Sequence, residues 1–336
     1  MNQGHFIISS DPFEDAVEAG PEIELRPFRF EAAQHGERLD RALAAAVPEF
    51  SRSYLQQLIE AGAVMLGAAV ASRSSHKVKA GEAGRIELRP TPQSQAFRPE
   101  PMALSVVFED AHLLVVDKPA GLVVHPAPGN WSGTLLNGLL ARDGQAAMLP
   151  RAGIVHRLDK DTSGLMVVAR TRACMDALVE KIAARDVSRQ YLALAHRPWQ
   201  GARSRHVEAP IGRDPRNRLR MAVVEGGKSA ATTLDLLEDA DRGCLVRATL
   251  HTGRTHQIRV HMAHIGHPLV GDDVYGGAAA AGLARQALHA YRLAFVHPVT
   301  SQPLEFIAPL PPDLRAALAD WGLRYNESEW LKSHAP

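Results

Sequence analysis

Apolar positions recur at helical spacing in only a few stretches of this chain. Leu39, Leu43 and Val47 mark one face of a helix that Pro48 stops. Ser51 is placed to cap a second helix carrying Tyr54, Leu55, Leu58 and Ile59, with Gly62 just past its end. Strand-like pieces follow at Val64-Met65-Leu66, Lys77-Val78-Lys79 and Arg85-Ile86-Glu87-Leu88, punctuated by Gly67, Gly81 and Gly84. Residues 36–90 therefore read as a small αβ module, with too little core for a large enzyme but enough to bind something. Residues 91–101 (TPQSQAFRPEP) lack periodicity and read as a linker.

From residue 102 the pattern is mostly that of strands. Ser105–Phe108 and Leu113–Val116, separated by four residues, predict a hairpin. Further strands are predicted at Gly153–Val155, Leu165–Ala169, Tyr191–Ala195, Ala222–Val224, Thr232–Leu237, Leu245–Leu250, Leu288–Phe295 and Leu304–Ile307. Helices are predicted over Thr134–Leu140, from Thr171 with Leu178 and Ile182 on one face, and from near Thr255 to Gly266. Many strands follow one another without an intervening helix. The expected class is α+β, with a mixed, largely antiparallel sheet over residues 102–330.

Composition changes this picture at one end. Of 336 residues, 38 are Lys or Arg and 37 are Asp or Glu, a net of +1. Residues 1–25 hold six acids and no basic residue, which leaves +7 over residues 26–336. Residues 1–35, acidic and interrupted by Pro12, Pro21 and Pro27, read as a disordered tail. Cys174 and Cys244 are too few for a disulfide framework and fall in apolar stretches. No run approaches ~18 apolar residues, and no basic segment precedes an apolar one at the start. A cytoplasmic protein that does not enter membranes is expected.

Three familiar motifs fail on inspection. AVVEGGKS at 222–229 ends like a phosphate-binding loop, but Ala222 stands where a glycine belongs and a strand pattern follows where a helix is required. His156-Arg157-Leu158-Asp159 lacks the remaining segments of a kinase catalytic loop. Among the histidines 251, 256, 261, 264 and 267 stand Arg254 and Arg259, with the nearest downstream carboxylate at Asp272, so no metal site is expected.

Two segments remain. In HRLDKDTSG (156–164) a polar loop lies between apolar strands, with Asp159 between Arg157 and Lys160, which favour its ionised form. On the residues alone, this is equally a turn with surface ion pairs. Residues 242–271 contain four arginines, five histidines and no acid. That composition suits phosphate contacts or simply a solvated basic face. The segment 203–220 adds six arginines against Glu208 and Asp214.

Taken together, HRLDKDTSG, GRTHQIRVHMAHIGHPLVGD (253–272), Asp117-Lys118-Pro119-Ala120-Gly121 and His125-Pro126 resemble the signatures of the RluA family of pseudouridine synthases. Residues 36–90 resemble the S4 RNA-binding module. The resemblance implies a pseudouridine synthase fold and isomerisation of uridine without cofactor or metal. It implies Asp159 as the catalytic aspartate, Tyr191 stacking on the target base and Arg259 pairing with the aspartate. Arg157 would fill the gap left by a flipped base, Ile258 would pack against that base, and Arg254 and His256 would contact RNA. The implied partner is 23S rRNA or a large-subunit precursor, most specifically its helix 69 stem-loop, with the protein a monomer. Other uridines of 23S rRNA or tRNA, and a non-catalytic ribosome-assembly factor on the same fold, are the alternative readings.

Overall fold

A computed structural model describes residues 24–93, 95–218 and 220–325. Within it the chain forms two compact units that divide between Ala96 and Phe97.

The N-terminal unit contains β1 (Glu24–Arg29), α1 (Leu39–Ala46), α2 (Arg52–Glu60), β2 (Val64–Leu66), β3 (Ala69–Val70) and β4 (Ala83–Leu88). Its antiparallel sheet runs β1-β4-β2-β3. α1 buries Leu39, Ala42 and Leu43, and the Ser51 side chain caps α2 by accepting from the Tyr54 N–H. The expected strand at Lys77–Lys79 does not form; Lys77 makes only an isolated bridge to Arg38. The expected tail also ends earlier than residue 35. β1 pairs along its whole length with β4, and Phe28 and Phe30 enter the core. The acids of this stretch hid two aromatic residues that alternate onto one face of a strand. The remainder of that tail, residues 1–23, lies outside the described residues.

The second unit is built on β5 (Ser105–Glu109), β6 (Leu113–Lys118), α3 (Leu135–Arg142), β7 (Ser163–Ala169), α4 (Arg172–Ala184), β8 (Ser188–His196), β9 (Ser204–Glu208), β10 (Ile211–Arg213), β11 (Met221–Val223), β12 (Ala231–Ala240), β13 (Gly243–Leu250), α5 (Gln257–His264), β14 (Leu288–Val296), β15 (Pro303–Ile307) and α6 (Pro312–Asp320). Nine strands form one sheet in the order β5-β6-β7-β14-β8-β13-β12-β9, with β15 also on β14; β10 and β11 make a separate ribbon. Among the described residues, every strand pairing in the large sheet is antiparallel except that of β7 with β14. This is the mixed, largely antiparallel α+β architecture the strand spacing predicts. The expected strand at Gly153–Val155 is instead a 3-10 turn over Pro150–Gly153, followed by a single bridge from Ile154 to Val168.

Apolar residues cover both faces of the sheet. On one face α3 and α5 contribute Leu135, Leu136, Leu139, Ile258 and Met262 to a core that includes Tyr191. Elsewhere α4 buries Cys174 and Leu178, and α6 buries Leu314, Ala317 and Leu318, in two further clusters. Both cysteines are free and buried. Among the described residues no helix is long and apolar enough to cross a membrane.

Candidate active site

Asp159 is held on a loop that several backbone contacts fix from below. Its own carbonyl accepts from the Thr162 N–H at 3.1 Å. The next carbonyl, of Lys160, accepts from the Gly121 N–H and from the Lys118 ammonium, each at 2.9 Å. Lys118 is fully buried and also donates to the carbonyls of Pro119 and Leu122. Burial lowers its pKa to about 8, although the carboxylates of Asp161 and Asp159 pull it upward. The Arg285 guanidinium donates to the Asp161 carbonyl at 3.0 Å. Where the loop runs into β7, Gly164 has φ +114° and a Cβ there would collide with the Ala290 carbonyl oxygen. Only glycine permits β7 to meet β14 so closely.

The opposite wall is α5. His256 precedes it in the left-handed region (φ 56°), so the helix starts at Gln257 rather than near Thr255. The Gln257 side chain accepts from the Thr252 hydroxyl and the Arg254 N–H, and donates to the Ala231 carbonyl and the Thr232 hydroxyl. One glutamine thereby ties the loop before α5 to β12.

Arg259, on the first turn of α5, reaches both segments. Its Nη1 donates to the Asp159 carboxylate at 3.1 Å, while Nε and Nη2 grip both oxygens of Asp272 at 2.7 and 2.8 Å. Arg259 and Asp272 are buried, whereas the Asp159 side chain keeps 17% exposure. Burial disfavours the Arg259 charge, but the two carboxylates outweigh it and hold the guanidinium more basic than usual. Tyr275 lies against this pair, its ring centroid 5.0 Å from the guanidinium carbon. The Tyr275 hydroxyl accepts from the Met221 N–H and shares a 2.8 Å hydrogen bond with His256 Nδ1. His256 Nε2 is 3.8 Å from the Asp159 carboxylate. Burial lowers the His256 pKa, with Asp159 opposing and Arg259 reinforcing the shift.

Tyr191 is 5% exposed and sits mid-strand on β8, between β13 and β14. It lines the same cavity as Asp159, Arg259, Arg157, Ile258, Arg254 and His256, a cleft of about 390 Å³. All seven residues singled out from the sequence are thus brought together. Arg157 and Arg254 are exposed at the cleft, and Arg254 also donates to the Ser229 carbonyl. Sequence reasoning did not assign roles to Asp272, Tyr275, Lys118 or Arg189. Asp272 and Lys118 stood inside the quoted motifs, but nothing in a sequence marks a lysine as buried.

Two histidines of the second segment are committed to the protein. His261 bonds the Thr232 hydroxyl and the Ala209 carbonyl, and His267 stacks on Trp199 with centroids 5.0 Å apart. No group of three potential metal-binding side chains occurs among the described residues.

A carboxylate aimed by a shared arginine, beside an aromatic ring in a basic cleft, is suited to chemistry on a nucleotide base drawn out of its stack. Comparison with known proteins agrees. Residues 112–264 match the RNA pseudouridylate synthase family and residues 37–83 match the S4 domain. The chain belongs to the pseudouridine synthases, and it is an RNA-modifying isomerase. It is 48% identical over 316 residues to ribosomal large subunit pseudouridine synthase D of Neisseria meningitidis serogroup A, spanning 88% of this chain and 83% of that one. The protein of the same name from Escherichia coli K12 is 42% identical over 317 residues, spanning 89% and 96%. Among solved structures, human RNA pseudouridylate synthase domain containing 1 superposes with a TM-score of 0.55 at 28% identity, over 70% of this chain and 98% of the human one.

Proposed function

We infer that this enzyme converts uridines of large-subunit ribosomal RNA to pseudouridine, that its target is the helix 69 stem-loop of 23S rRNA, and that Asp159 is the catalytic carboxylate. The observation that carries the assignment is the 3.1 Å pair between Asp159 and an arginine whose other nitrogens are held by buried Asp272. The substrate reading is supported by the names of relatives that span most of the chain and by the S4 match.

In the reaction the N1–C1′ bond breaks, the uracil turns, and C5 bonds to C1′ while its proton passes to N1. Nothing is gained or lost. Positive charge develops at C1′ as the first bond breaks, and a carboxylate fixed beside it stabilises that charge. Arg259 keeps Asp159 aimed through its 3.1 Å hydrogen bond. Extracting the base costs a few kcal/mol; stacking on Tyr191 returns about 1–3 kcal/mol. Ile258 forms the facing wall of the base site. Arg157 fills the space the base vacates, and Arg254 and His256 hold the adjoining strand.

Pseudouridine mapping of rRNA from a strain lacking this gene, complemented with the wild-type or the Asp159→Asn copy, tests each part. The expected result is loss of modification at helix 69, restored by wild type alone, with RNA binding by the variant retained. Loss at other uridines reassigns the substrate. Restoration by the Asp159→Asn copy removes Asp159 from the chemistry, and unchanged rRNA refutes the whole reading.

A further inference from the structure

The cleft contains two buried donors left without a partner among the described residues. Arg189 is 7% exposed, yet its Nε has no hydrogen-bond partner and its guanidinium makes no ion pair among those residues. His156 accepts from the Val167 N–H through Nε2 at 3.0 Å, so the neutral ring carries its proton on Nδ1. That Nδ1 is also buried without a partner. Burial and the nearby Arg189 charge depress the His156 pKa to about 3, which keeps the ring neutral.

Both residues line the cavity that holds Asp159 and Tyr191. Arg189 lies two residues before Tyr191 on β8 and so shares its sheet face. Its guanidinium rests against Gly253, where an added Cβ would come within 3.1 Å of Nη1. A buried Nε–H without an acceptor is a cost to the fold. The nearest acid of the cleft cannot relieve it, because Asp159 is engaged by Arg259. Arg157, Arg185 and Arg254 line the same cleft, so its field favours an incoming anion.

We propose that Arg189 and the His156 Nδ1–H form a recess for a non-bridging oxygen of a phosphodiester next to the target uridine. Arg189 then acts as a positioning residue. It pins the strand so that the base lies on Tyr191 and C1′ faces Asp159. The inference rests on the RNA-modifying reading of this cleft. A phosphate matches the chemistry, since it brings a full negative charge and several acceptor oxygens to a cation and a neutral donor side by side.

Arg189→Met and Arg189→Lys test it with the full-length enzyme. Unmodified helix 69 stem-loop and the same RNA carrying single methylphosphonates beside the target uridine are the ligands. Wild type should lose affinity at one methylphosphonate linkage, and Arg189→Met should be indifferent to it. Arg189→Met should lose ten- to a hundredfold in kcat/KM, and its log-affinity should fall less steeply with log salt, by about one. Its melting temperature should equal or exceed that of wild type, because a buried donor without an acceptor has been removed. Arg189→Lys should recover the salt slope but only part of the rate. A lower melting temperature with an unchanged salt slope would show a purely structural arginine. Indifference of wild type to every flanking methylphosphonate also overturns the proposal. Conversion of the stem-loop by wild type is followed in parallel. If it fails, the helix 69 assignment falls, and the salt slope on whole unmodified 23S rRNA still decides the role of Arg189.

Discussion

Arg259 shows how much of this site depends on charge that is held in place. It is a buried cation bracketed by two acids, of which Asp272 takes two nitrogens and Asp159 one. Asp272→Ala should therefore destabilise the enzyme by about 3–5 kcal/mol in urea denaturation, since it strands a buried guanidinium. It should also lower kcat, although Asp272 touches no reacting atom. Arg259→Lys keeps the charge but not the fork, and should lower kcat more than it lowers stability. Tyr191→Ala should raise the barrier by about 1–3 kcal/mol in single-turnover kinetics through lost stacking. Lys118 gives a pH signature. Because its pKa falls from 10.5 to about 8 on folding, the unfolded chain binds the extra proton between those values. Its contribution to stability therefore improves as pH rises from about 8 to 10.5, and is a constant penalty below. The stability of wild type relative to Lys118→Met should increase between about pH 7.5 and pH 10. Asp159 and Arg259 stand in motifs where polar residues interrupt apolar runs, whereas Tyr191 reads as a core strand residue and stands out only through the family resemblance. The partners that fix them were not, because burial and a guanidinium shared between distant segments leave no periodic trace.

At the scale of elements, legibility followed apolar alternation and failed where charge masked it. β12, β13 and β14 carry alternating apolar residues and include the strands expected at Thr232–Leu237, Leu245–Leu250 and Leu288–Phe295. β9 and β10 lie inside the arginine-rich segment 203–220, where Arg205 and Arg213 are strand residues rather than loop residues. β1 was hidden in the same way by acids. The start of α5 was displaced by His256, whose left-handed backbone no spacing rule announces. The β7–β14 contact yields a sharp expectation. Gly164→Ala must relieve both a positive φ and a collision with the Ala290 carbonyl oxygen. It should cost at least about 2 kcal/mol by thermal or chemical denaturation, and activity should fall with it, because Asp159 lies on the loop that Gly164 closes.

At the scale of the whole molecule, the near-zero net charge conceals a division of labour: six acids in residues 1–25 and a +7 remainder. The chain divides into two compact units at Ala96. Removing residues 1–96, which hold the S4 match, should raise KM for the RNA substrate roughly tenfold, about 1.4 kcal/mol, with kcat little changed; steady-state kinetics checks this. The sheet order also has a consequence in time. β7 and β8 are consecutive strands, yet β14 lies between them, about a hundred residues later in the chain. Until that strand emerges during translation, the two halves of the sheet have no hydrogen-bonded seam. The loop of Asp159 also lacks Arg285, Gln286 and the Ala290 backbone, and Ser163 lacks its bond to His289. A partly synthesised chain, even one already carrying every signature residue, is thus an unarmed one. An RNA-modifying enzyme of this fold completes its active site only when β14 is in place.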